Sequence, residues 1–247
     1  MKALIFAAGL GTRLKPLTDT TPKALVPVGG EPLLYHVICK LRAAGYDELV
    51  VNVHHFAAQI IDYLSAHDFG VSIRISDESA LLRETGGGIA YAQNKLEPLE
   101  GPFLVHNVDI LSNLDLTWLR EQTRPEALAT LVVSERKTSR YLLFGEDMRL
   151  KGWTNVQTGE VRSSYPAEEL RGCRRLAFSG IHSLSPAIFG AFRQAHMPER
   201  FPIMDFYLRE CGSHPIYGVV PENLQLVDVG KLDTLAAAEE FISSIGR

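Results

Sequence analysis

Two glycines, an arginine and a lysine stand close together near the start of the chain. They lie in Ala7-Ala8-Gly9-Leu10-Gly11-Thr12-Arg13-Leu14 and in Thr21-Pro22-Lys23-Ala24-Leu25-Val26-Pro27. Glycine has no Cβ, so the backbone there can come near a bulky anion and turn successive N–H groups toward its oxygens. Arg13 offers a forked pair of donors to phosphate, and Lys23 adds a point charge on a loop stiffened by Pro22 and Pro27. Glycines, fork and lysine together describe a polyphosphate cradle. Two look-alikes are excluded by spacing. A P-loop requires G-x-x-x-x-G-K-[ST], which is absent here. A dinucleotide fingerprint requires a third glycine, and Gly9-Leu10-Gly11 is followed by Thr12-Arg13-Leu14.

Two further stretches carry chemistry. Glu84-Thr85-Gly86-Gly87-Gly88-Ile89 places three glycines before an apolar helical pattern. It reads as a flexible loop meeting a helix N-terminus, whose free N–H groups can serve anions or polar rings. A connector without a ligand is the plainer alternative. Pro102 to Ile110 reads as one buried strand that carries Asp109. An unpaired carboxylate so near a core is costly, so Asp109 needs a cation or solvent. Magnesium takes oxygen ligands, often one or two carboxylates plus substrate phosphates. The competing role for Asp109 is a cap or hydrogen bond. Asp228 ends the apolar stretch Leu224 to Val227, where a cap for the last helix competes. His54-His55 is a poor joint metal site, because adjacent side chains on an extended stretch point to opposite sides.

The opening string, taken whole, resembles the signature of the sugar-1-phosphate nucleotidylyltransferases. The nearest-looking members are uridylyltransferases for N-acetylmuramate 1-phosphate and short guanylyltransferases for mannose or heptose 1-phosphate. The resemblance implies Arg13 and Lys23 as catalytic groups, with a nucleoside triphosphate held by Ala8, Gly9, Leu10, Gly11, Thr12, Arg13, Thr85, Gly86 and Gly87. It implies a sugar 1-phosphate held at Asn107 and Gly180, and Mg²⁺ held by Asp109 and Asp228. The sequence also departs from the family pattern. Val108 replaces the glycine usual before the first aspartate, and Leu226 and Val227 replace the aromatic and histidine often found before the second. No lysine lies between Lys151 and Gly180, where many relatives place one for the sugar phosphate. Arg171, Arg174 and Arg175 are cations in that region without an assigned role.

These departures give some weight to a non-catalytic, nucleotide-sugar-binding regulatory subunit of the same fold. Phosphocholine cytidylyltransferases share the opening signature and form a further alternative. A nicotinamide-dependent oxidoreductase needs an acidic ribose partner after the second strand, which instead ends in Asn52-Val53-His54.

Strand and helix patterns alternate through the first half, as parallel strands joined by helical crossovers require. With the resemblance, this implies a three-layer α/β/α Rossmann-like domain with a mixed, mostly parallel sheet. Residues 1–247 are expected to form that one domain, with about 127–220 as its sugar-binding half and no hexapeptide-repeat tail. The 247 residues, 46% hydrophobic and 22% charged, are ordinary for a globular chain. A net charge of -4 argues against a general nucleic-acid binder. The three cysteines form no Cys-x-x-Cys pair, which suggests a reduced, cytoplasmic setting. No apolar run reaches the roughly 20 residues of a membrane helix. Oligomeric state is not legible in the sequence.

Overall fold

A computed structural model describes residues 1–245. The first half alternates β1 (Lys2–Phe6), α1 (Leu33–Ala43), β2 (Glu48–Val53), α2 (Ala57–Ala66), β3 (Ser72–Asp77), α3 (Glu84–Tyr91) and β4 (Phe103–Asn107). Strands β3, β2, β1 and β4 lie side by side and parallel, with Leu4 facing Val50 on one flank and Val105 on the other. Alternation along β1 sets up two cores. Ala3 and Ile5 pack with α1 and α2, whereas Leu4 packs with Ile89, Phe103 and Phe206 on the opposite face. Helices on both faces of a parallel core make the expected three layers; β1 reads as an apolar run because both its faces are covered, whereas the edge strand β3 alternates polar and apolar residues.

The second half adds β5 (Ile110–Ser112), α4 (Leu116–Gln122), β6 (Ala129–Ser134), β7 (Arg140–Phe144), β8 (Leu150–Asn155), β9 (Val161–Arg162) and β10 (Arg174–Leu184). It ends with α5 (Ile188–Gln194), α6 (Ile203–Glu210), β11 (Ile216–Val219), β12 (Leu226–Asp228) and α7 (Leu235–Ile245). Strand β10 pairs antiparallel with β4 and carries the outer strands with it, giving a ten-stranded mixed sheet ordered β9-β8-β7-β10-β4-β1-β2-β3. Strands β6 and β11 branch from β10.

Two elements differ from the sequence expectation, and both bear on the site. The strand expected from Pro102 to Ile110 breaks after Asn107. Val108 N–H donates to the Phe6 carbonyl at 3.1 Å, and the chain then leaves the main sheet as β5 to pair with β12. Asp109 therefore stands at the step between two sheets. The glycines at 86–88 are not a loop; they lie within the first turns of α3, which begins at Glu84.

Candidate active site

The carboxyl ends of β1, β2 and β4 converge on the glycine loop that follows Phe6, as open α/β sheets place their ligand crevice. Gly11 sits at φ +64° in the left-handed region, and a Cβ there would come within 2.9 Å of Thr18 Cγ2 and 3.2 Å of Lys23 Cβ. Glycine at this position thus permits both the turn and the approach of Lys23. Thr18 Oγ1 donates to the Gly11 carbonyl at 2.8 Å and fixes the loop. The amides of Gly9, Leu10, Gly11 and Thr12 donate to no protein acceptor among the described residues. Leu10 and Arg13 are exposed, and the loop lies open to solvent.

Lys23 is buried and bonds through Nζ to the Asp109 carboxylate, in an ion pair that joins residues 86 apart in sequence. Asp109 and Asp228 are brought together by the small β5–β12 sheet. Asp228 is the register partner of Ile110, and the Val229 N–H donates to the Asp109 carbonyl at 2.8 Å. Arg13 reaches the same place. A Cβ on Gly230 would lie 2.8 Å from Asp228 Oδ1 and 3.0 Å from Arg13 Nη2, so both groups press on one glycine. Asp228 is exposed as a residue, yet partial desolvation of its carboxyl pushes it above the ordinary carboxylate range, and the Asp109 charge adds to that rise. Lys23, Arg13 and Arg136 pull it back down. Two acids and two cations from distant parts of the chain thus share one locus beside the glycine loop.

These residues fit a divalent cation. Carboxylate oxygens are the hard donors such ions prefer, and a cation between the two acids offsets both the desolvation and the Asp109 repulsion that raise Asp228. Among the described residues no third acid, histidine or cysteine joins them. Mg²⁺ commonly completes so small a protein ligand set with substrate phosphates.

A cavity of about 420 Å³ opens next to Asp109, with Ala8, Gly9, Lys23, Thr85, Asn107 and Val108 in its wall. Gly180 does not line it but touches it through Asn107. Its φ of +74° lies in the left-handed region, and a Cβ would meet Asn107 Nδ2 at 2.9 Å. Gly180→Ala is expected to cost about 1–3 kcal/mol in chemical denaturation, through strain and through displacement of Asn107.

Gly86 and Gly87 do not line the cavity. Their amides donate to the Phe201 carbonyl, at 2.8 and 3.1 Å. A Cβ on Gly86 would fall 2.2 Å from the Phe201 ring, and one on Gly87 2.4 Å from the Glu199 carbonyl oxygen. Close packing of α3 against the segment before α6 accounts for both glycines. Of the expected residues in this stretch, only Thr85 faces the cavity. The hydroxyl of Thr85 also accepts from the Ile203 N–H at 2.9 Å.

Sequence reasoning did not single out Asn52 and Glu78, which also line the cavity and are almost fully buried. The Asn52 amide oxygen accepts from the Ala8 N–H at 3.2 Å, while its amide nitrogen donates to Glu78 Oε1. Glu78 Oε2 accepts from the Arg83 N–H at 3.0 Å, so the pair ties the glycine loop to the start of α3. Burial pushes the Glu78 carboxyl up, and the two donated hydrogen bonds oppose that rise. Because both carboxylate oxygens face donors, Glu78→Gln must set an NH₂ against an N–H. A loss of about 1–3 kcal/mol in chemical denaturation is expected, the usual cost of a buried donor left unsatisfied. A lone polar residue inside the apolar strand Glu48-Leu49-Val50-Val51-Asn52-Val53 was the available signal for Asn52. The His54 ring is tied to the end of β3, its Nδ1 2.7 Å from the Glu78 carbonyl oxygen. Of the three arginines before Gly180, Arg174 is bonded to Glu135 at 3.1 Å.

Comparison with known proteins adds independent information. A family profile described as Nucleotidyl transferase matches residues 2–145. An N-acetylmuramate alpha-1-phosphate uridylyltransferase of Neisseria meningitidis serogroup B is 35% identical over 213 residues, spanning 85% of this chain and 86% of its own length. A protein of the same name from Caulobacter vibrioides is 31% identical over 245 residues, spanning 96% and 95%. Among solved structures, HddC from Yersinia pseudotuberculosis superposes with a TM-score of 0.78 over 98% of this chain and 99% of its own, at 22% identity. At that identity the likeness is one of fold.

Proposed function

The chain belongs to the nucleotidyl transferase family, and from that premise we propose that it transfers a nucleoside monophosphate from a nucleoside triphosphate to a sugar 1-phosphate. The products are a nucleotide sugar and pyrophosphate. An oxygen of the sugar phosphate forms a bond to the α-phosphorus, and the bond from that phosphorus to the β-phosphate bridging oxygen breaks. A phosphate monoester has a second pKa near about 6, so the nucleophile is already ionised at neutral pH and needs no general base. The barrier lies in repulsion between two anions and in charge gathering on the leaving group. Positioning and positive charge lower it.

In this reading Arg13 and the amides of Gly9, Leu10, Gly11 and Thr12 hold the β- and γ-phosphates, and Lys23 neutralises charge near the reacting phosphorus. Ala8 and Thr85 border the nucleoside, while Asn107 and Gly180 meet the sugar phosphate. The segment from about 127 to 220 serves as the sugar-binding half. Asp109 and Asp228 would hold Mg²⁺, which when bound supplies Lewis-acid polarisation and offsets phosphate charge. The observation that carries the reading is the meeting of Asp109, Asp228, Lys23 and Arg13 beside an open row of loop amides.

UTP and N-acetylmuramate α-1-phosphate are the proposed pair, because the two relatives with that printed activity align along nearly the whole chain. Pyrophosphate release tests this across the four nucleoside triphosphates with N-acetylmuramate, mannose and glucose 1-phosphates, with and without Mg²⁺. Turnover is expected to be highest with the proposed pair and to vanish without Mg²⁺. Silence across the panel, beside tight nucleotide binding, would favour a regulatory subunit instead.

A further inference from the structure

Arg136 lies exposed in the connection between β6 and β7 and has no carboxylate partner among the described residues. One of its five N–H donors is committed: Nη2 donates to the Phe178 carbonyl at 3.1 Å. Phe178 stands two residues before Gly180 in β10, within the stretch where pairing with β6 slips between Phe178 and His182. Gly180 presses on Asn107, which lines the cavity. A Cβ on Gly180 would also lie 3.0 Å from Ile110 Cγ1, and Ile110 follows Asp109 directly. Its neighbour Glu135 is engaged by Arg174 and leaves Arg136 alone.

The position relative to the other cations decides the assignment. Arg13 and Lys23 stand in the segment that follows β1, whereas Arg136 is bonded to β10, across β4 in the strand order. The proposed reaction brings two polyanions together, and cations on one flank serve only one of them. We infer that Arg136 binds the phosphate of the sugar 1-phosphate, on the flank opposite the triphosphate loop. The inference rests on the proposed reaction. A guanidinium with uncommitted donors suits the group, since it can grip phosphate oxygens in a bidentate fork.

Steady-state pyrophosphate release tests it in the wild type, Arg136→Ala, Arg136→Lys and Lys137→Ala, with KM measured separately for UTP and for N-acetylmuramate α-1-phosphate. Arg136→Ala is expected to raise the sugar-phosphate KM about 10- to 100-fold, the usual range for a lost charge-assisted hydrogen bond. The UTP KM should stay within about twofold, which also reports an intact fold, and Arg136→Lys should recover part of the loss because it keeps the charge. Lys137 makes no hydrogen bond or ion pair among the described residues, and Lys137→Ala should match the wild type. An unchanged sugar-phosphate KM in an active Arg136→Ala enzyme overturns the assignment alone. So does an equal rise in the UTP KM, or an equal effect of Lys137→Ala. Absence of turnover in the wild type with every substrate pair of the panel overturns the reaction and the assignment together.

Discussion

Asp228→Asn is expected to abolish nearly all turnover while leaving the unliganded protein as stable as the wild type or more so. The activity loss should be about 100- to 1000-fold, the usual consequence of removing one preorganised charge contact. The stability result follows from electrostatics. Partial desolvation first, and the Asp109 charge second, raise the Asp228 carboxyl above its ordinary range. A carboxyl whose folded pKa exceeds its unfolded value favours folding below the unfolded pKa. That advantage is lost as pH rises through the folded pKa, so at neutral pH the ionised group is a liability, kept small because Asp228 is exposed to solvent. Asparagine removes the charge and with it this pH dependence. Melting curves between pH 4 and pH 7 should show a falling wild-type contribution that flattens in Asp228→Asn. Mg²⁺ should raise the wild-type melting temperature more at pH 7 than at pH 4 and leave the variant unmoved. Such a pattern, in which function retains a locally unfavourable group, is common at catalytic sites.

Lys23→Ala should lose activity on the same scale, about 100- to 1000-fold, but with the opposite effect on stability. Its ammonium is buried against Asp109, and removing it strands a carboxylate that is itself only 22% exposed. Breaking a buried pair from one side typically costs about 3–5 kcal/mol, and the partial exposure of Asp109 brings the expectation to about 2–4 kcal/mol. Urea denaturation at pH 7 without Mg²⁺ checks this. A large loss for Lys23→Ala beside none for Asp228→Asn would separate the pair that supports the fold from the acid that burdens it. Added Mg²⁺ should narrow the Lys23→Ala deficit, because a cation at Asp109 substitutes for the missing ammonium.

The parts of the site that were legible in the sequence are those whose chemistry is local. Gly9-Leu10-Gly11 and the proline-bracketed Lys23 declare a phosphate-suited loop through residue type and spacing alone, and β1, β2 and their crossover helices follow from apolar periodicity. Asp109 and Asp228 stood out as acids in apolar settings, but their meeting depends on β5 pairing with β12, a contact across the length of the chain that no local pattern encodes. The break after Asn107 was hidden for the same reason: the apolar run continues through Val108, and it is the pairing of Ile110–Ser112 with Leu226–Asp228 that draws the chain out of the main sheet. Gly86 and Gly87 read as a loop because glycine signals close approach without naming what approaches. In α3 the neighbour is Phe201 and the Glu199 backbone, supplied by a segment more than a hundred residues later. Glu78 follows β3 with no motif around it, and its role appears only when Asn52 and Arg83 surround it.

If Asp109 and Asp228 grip a single divalent cation, then removing either one destroys the same interaction. The direct test is pyrophosphate release from Asp109→Asn, Asp228→Asn and the double variant, at saturating UTP, N-acetylmuramate α-1-phosphate and Mg²⁺. The expected double variant is no slower than the worse single one, because residues that act as a unit are not additive. Losses that multiply in the double variant, or a single variant with wild-type turnover, would show the two acids working apart and would contradict the shared centre.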